Sequence, residues 1–76
     1  MQISIDQLKI NQKATITEFD IEAIPLKLIE MGCLPGNTVE LLQIAPLGDP
    51  LFLNINDSFL AIRLETACQI LVETFE

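Results

Sequence analysis

The chain has 76 residues, half of them hydrophobic, with Ile and Leu filling 23 positions, and eleven acidic against four basic residues leave a formal charge of −7. That length holds one domain with one core, residues 1–76, and the apolar content excludes a disordered chain. The longest apolar runs are only a few residues, against the ~20 a membrane span needs, and the sign of the charge excludes a nucleic-acid footprint.

The opening segment, Ile3–Leu8, carries apolar residues at 3, 5 and 8 and fits a short strand or a single helical turn. Met1–Ile10 has neither a basic start nor an apolar h-region, so the expected location is the cytoplasm, with reduced thiols. Lys13–Phe19 (KATITEF) alternates and predicts a half-buried strand with Ala14 and Ile16 on one face. Ile21, Ile24, Leu28 and Met31 then recur at spacings of three and four, the apolar stripe of a helix. Pro25 fits best in the first turn of such a helix, which places it at about Ile24–Met31, and Gly32 ends it.

Leu34-Pro35-Gly36-Asn37 has Pro and Gly at the central positions of a type II turn. The strand that follows, Thr38–Ala45, breaks its alternation at Leu41-Leu42, where a bulge is expected. Pro46–Pro50 (PLGDP) reads as a rigid loop. Leu51–Asn56 and Phe59–Leu64 form a hairpin, with Leu51, Leu53 and Ile55 on one face and Phe52, Asn54 and Asn56 on the other. Glu65–Cys68 has room for one helical turn, and Gln69–Phe75 closes the chain as a strand.

The fold class is therefore mainly β: about five strands, one helix between the first two main strands, and a short helical turn before the last strand. A sheet this small protects its edges by curling into a barrel, which explains so much Ile and Leu beside so few aromatics.

Two stretches make the chain resemble a known family: Leu28-Ile29-Glu30-Met31-Gly32-Cys33-Leu34-Pro35-Gly36, and Ala45-Pro46-Leu47-Gly48-Asp49-Pro50-Leu51. With Leu60–Ala67 and Ile70–Val72 behind them in the right order, the chain resembles the FeoA family of bacterial ferrous iron transport. The resemblance implies an SH3-like barrel. It also implies a non-enzymatic accessory protein that binds FeoB, the membrane iron transporter with a cytoplasmic GTPase domain. Two positions depart from the family pattern. Cys33 stands where the family usually has Leu, Phe or Val, and Lys27 is alone where several arginines are common.

Within that frame, the Pro46–Pro50 loop is either a plain rigid turn or a protruding loop that offers Leu47 to a partner, with Gly48, Asp49 and Pro50 expected in the same partner-binding surface. Ile24, Leu28 and Met31 are expected in the core. Leu26 and Ile29 lie off the stripe, so one of them is expected to stay exposed and widen a partner surface next to the loop. Glu30 is expected to pair with Lys27. Cys33 is expected to fill an apolar slot.

Asp20 with Glu22, and Asp49, are the oxygen-ligand candidates for ferrous iron. They do not converge in sequence and the chain has no His, so no metal ligand, cofactor or catalytic residue is assigned. The reading that competes with a FeoB-binding module is a carrier or sensor of ferrous or other divalent metal. A repressor of the diphtheria toxin repressor type, whose C-terminal domain is also SH3-like, is disfavoured because no helix-turn-helix precedes the barrel. Partners are thus FeoB, with no nucleic acid and no membrane insertion, and a homo-oligomer is compatible with the leftover apolar positions.

Overall fold

The computed structural model describes residues 1–75, and its chain opens with a three-residue strand, β1 (Gln2–Ser4). A 3₁₀ turn over Ile5–Gln7 follows directly, so the opening segment takes both conformations its sequence allowed. Ser4 Oγ donates to Asp6 Oδ1, and the Ser4 N–H donates to Gln7 Oε1 at 3.3 Å. These bonds turn the chain so that Ile5 and Leu8 enter the core.

The second strand, β2 (Lys13–Phe19), fills the predicted range, with Ala14 and Ile16 buried as expected. The helix departs from expectation. The first helix, α1 (Leu26–Glu30), has five residues and begins only after Pro25, whose extended backbone (φ −56°, ψ 136°) caps it. A proline disfavours helical backbone at the residue before it, so Ile24 stays outside the helix, although its side chain is buried. The stripe is split in consequence: Ile21 is 67 % exposed, while Leu28 and Met31 are half-buried.

The helix stops as Gly32 requires. Gly32 has φ +105°, its N–H donates to Ile29 O (3.1 Å), and the Cys33 N–H donates to Leu28 O (3.0 Å). This is the bond pair of a Schellman motif, and it drives Cys33 into the core. The predicted type II turn is closed by the Asn37 N–H donating to Leu34 O (3.1 Å), with Gly36 at φ +95°.

The next strand, β3 (Thr38–Ile44), pairs Leu41 with Leu53 but Gln43 with Phe52, which leaves Leu42 as the extra residue of the expected bulge. Then β4 (Leu51–Ile55) buries Leu51, Leu53 and Ile55. Asn56 and Asp57, both at positive φ (51° and 65°), form the two-residue turn into β5 (Ser58–Ile62). A second short helix, α2 (Leu64–Ala67), and the last strand, β6 (Ile70–Thr74), complete the chain.

All strands belong to one antiparallel sheet of order β1-β6-β2-β3-β4-β5. It has six strands because Gln2–Ser4 pairs with Leu71–Glu73 at its edge. Thr17 forms a second bulge where β2 crosses β6, and its Oγ1 donates to Leu71 O (3.1 Å). The sheet curls around one core that takes Ile16, Leu41, Leu53, Ile62 and Val72 from five successive strands in the sheet, with Ile5 from the 3₁₀ turn. The outer strands β1 and β5 do not pair. The 3₁₀ turn after β1 packs instead on α2 after β5, so side chains rather than backbone hydrogen bonds close the barrel.

Candidate partner-binding site

The Pro46–Pro50 loop is held from inside and outside. Within it, the Gly48 N–H donates to Ala45 O (2.7 Å) and the Ala45 N–H donates to Pro50 O (3.1 Å). From outside, Asp49 Oδ1 accepts the N–H of Leu64 at 2.9 Å. That N–H is one of the donors a helix start leaves without an intrahelical partner, so Asp49 both serves α2 and anchors the loop to it. The Asp49–Pro50 peptide is cis. Gly48 and Pro50 are half-buried in this framework, and Leu47 projects from it with 96 % of its surface exposed.

The other two candidates lie elsewhere. Leu26 is 68 % exposed, whereas Ile29 is half-buried and packs on the core, so Leu26 is the free member of the pair. Gly32, at the end of α1, sits against Asn56, and its carbonyl accepts from Asn37 Nδ2 (2.7 Å). Asn56 in turn donates its N–H to Thr38 O (3.3 Å). The helix therefore belongs to the end of the barrel where β3 begins, and the loop leaves from the end where β3 stops. Leu26 and Leu47 are thus placed near the two ends of β3. Ile21, Leu26 and Leu34 are exposed at the helix end; Ile44 and Leu64 accompany Leu47 at the loop end.

Asp20 Oδ1 accepts the Glu22 N–H (3.0 Å). Among the described residues no group of three or more His, Cys, Asp or Glu side chains is placed to hold a metal ion. Lys27 and Glu30 do not form the expected ion pair; the pair found among the described residues joins the Met1 amine to Glu73 (3.5 Å). A five-residue helix with no buried side chain does not hold two long side chains at its surface in one geometry. Burial pushes the Cys33 thiol up to about 11 and keeps it protonated at neutral pH, while Cys68 is exposed and its Sγ donates to Glu65 O.

Asn54 lines a polar hollow of about 360 Å³ with Lys13, Asn37, Glu40 and Asn56, and its Oδ1 is buried without a hydrogen-bond partner among the described residues. Sequence reasoning singled out neither this hollow nor Leu64. The alternation that set Asn54 beside Phe52 and Asn56 on the outer face was its available signal.

A six-stranded antiparallel sheet curled over one core, with short helices at its seam, is an SH3-like barrel. The crystal structure of Stenotrophomonas maltophilia FeoA complexed with zinc, described as an SH3 domain protein, shares this fold: TM-score 0.78, 22% identity, 93% of this chain and 89% of that one covered. The FeoA domain model matches residues 3–74, and the chain belongs to the FeoA family, which is linked to ferrous iron transport. The solution structure of FeoA from Chlorobium tepidum is 29% identical, with a TM-score of 0.89 over 97% of this chain and 71% of that one. An Fe(2+) transport protein A/Fe(2+) transporter FeoB fusion protein of Porphyromonas gingivalis is 40% identical over 47 residues, 62% of this chain. The match spans only 6% of the fusion protein's length. Among the described residues no helix is long and apolar enough to cross a membrane.

Proposed function

We propose that this protein is a non-enzymatic accessory protein of bacterial ferrous iron uptake, and that it binds the FeoB transporter on the cytoplasmic side. The observation that carries the reading is Leu47, almost fully exposed on a loop fixed by three hydrogen bonds. An apolar side chain held rigidly in water costs little further entropy on docking, and burying it contributes roughly 1.5–3 kcal/mol. The fusion of the two proteins in a relative supports association with FeoB. The acidic surface supports recruitment through specific protein contacts rather than through an anionic membrane.

Leu47→Ser tests this reading, with folding checked by circular dichroism and binding measured to full-length FeoB and to its separate GTPase domain. The expected result is an unchanged spectrum with affinity reduced at least tenfold. Unchanged affinity in a folded variant removes the loop from the interface.

A further inference from the structure

Strand β5 lies at the edge of the sheet, bonded to β4 on one side only. The two-residue Asn56–Asp57 loop fixes which backbone groups face outward. Ser58, Leu60 and Ile62 direct theirs to β4, so Phe59 and Ala61 turn their N–H and C=O groups to the open edge. The edge lacks two of the usual protections. It has no Pro and no charge within Ser58–Ile62, and Phe59 is 73 % exposed beside an apolar groove lined by Leu42, Phe52 and Ala61.

We infer that β5 pairs antiparallel with β5 of a second copy of this chain, about a two-fold axis at Leu60. The register follows from the sequence. With Leu60 opposite itself, Phe59 lies opposite Ala61 of the other copy, and four backbone hydrogen bonds form between these residues. Each large ring meets a small side chain and reaches across it toward Phe52. In the same register Asp57 of each copy lies opposite Arg63 of the other, since both stand three residues from Leu60. Both are exposed, and neither side chain has an ion-pair or hydrogen-bond partner among the described residues. The neighbouring permitted registers lose this match: one sets Phe59 against Phe59, the other sets Phe59 against Arg63. Strand edge, side-chain size and charge thus select one occupant and one register.

Sedimentation equilibrium of the full chain tests the inference. The weight-average mass should rise from 8.5 kDa toward twice that value as concentration increases through the micromolar range. Phe59→Lys, at an exposed position, should raise the dissociation constant at least tenfold, and so should Arg63→Asp, which sets a carboxylate against a carboxylate in both cross-strand pairs. Asp57→Lys lowers the overall repulsion between two acidic chains yet should also weaken the dimer. Mixing the Asp57→Lys chain with the Arg63→Asp chain should restore it, because both cross-strand pairs are again opposite in sign and the total charge equals that of two wild-type chains. Circular dichroism verifies that each variant is folded. A wild-type chain that stays at 8.5 kDa up to millimolar concentration overturns the inference. So does a dimer that ignores both Phe59→Lys and Arg63→Asp.

Discussion

Gly32→Ala separates two physical effects that meet at one residue. The backbone there has φ +105°, and a Cβ would stand 3.0 Å from Cβ of Asn56, the first residue of the β4–β5 turn. Left-handed backbone costs a residue with a side chain about 1–2 kcal/mol. The steric overlap adds about 1–2 kcal/mol, because the neighbour is the root of a side chain in a tight turn and cannot swing away. The sum is about 2–4 kcal/mol, and for a domain of this size it lowers the melting temperature by about 10–25 °C.

Gly36→Ala is the matched control. Its φ is +95°, but nothing lies within 4 Å of the added methyl, so only the backbone term applies and the loss is about 1–2 kcal/mol. The assay is thermal and urea unfolding followed by far-UV circular dichroism, with an unchanged m-value required. Asn56→Gly in the Gly32→Ala background removes the clashing atom and should return the loss to that of Gly36→Ala. Equal losses in Gly32→Ala and Gly36→Ala, or no recovery in the double variant, would refute the close contact that ties the helix to the hairpin.

Other consequences are checked more simply. Asp49→Ala removes the acceptor for the Leu64 N–H; by analogy with lost helix caps it should cost about 0.5–2 kcal/mol in urea unfolding, and it should weaken FeoB binding by freeing the loop. A chromogenic disulfide reagent should titrate one thiol per chain in the native state, Cys68, and a second, Cys33, only in denaturant. The raised Cys33 pKa also sets a sign. The unfolded thiol ionises near 9.0 and the folded one near 11, so its contribution to stability is complete below pH 9 and is lost as pH rises toward 11. Cys33→Ala should therefore show a shallower loss of stability than the wild type across that window.

What the sequence revealed depended on the range of the interactions involved. The period-2 pattern of β2, the slip at Leu41-Leu42 and the Leu51, Leu53, Ile55 face are local, and each appears where expected. Strand β1 is different: three residues become a strand only because Leu71–Glu73, some 70 residues away, offers a partner. The helix was overextended because Ile21 and Ile24 continued a helical spacing across Pro25, and the proline prevailed. The site shows the same division. The exposed Leu47 and its rigid loop were legible from Pro, Gly and Asp, but the bond from Asp49 to Leu64 joins segments that no local pattern connects. The position of Leu26 relative to Leu47 is set by the strand between them, β3, which no local pattern around either residue reveals.

That separation changes meaning if β5 pairs with itself. An antiparallel pair sets Arg63 of one copy beside Asp57 of the other, so the loop end of each barrel comes to the same end of the dimer as the helix end of its partner. Leu47 and Leu64 of one copy then share an end with Ile21, Leu26 and Leu34 of the second, and the dimer has two such composite ends. Binding to the transporter should consequently depend on dimerisation as well as on Leu47. Phe59→Lys replaces a residue in neither apolar end, so below the concentration at which the wild type dimerises it should leave affinity for FeoB unchanged. Above that concentration the wild type should bind several-fold more tightly than the variant, because one dimer offers both ends of the surface at once. Equal affinities across the whole range would mean that the loop end acts alone and that Leu26 lies outside the interface.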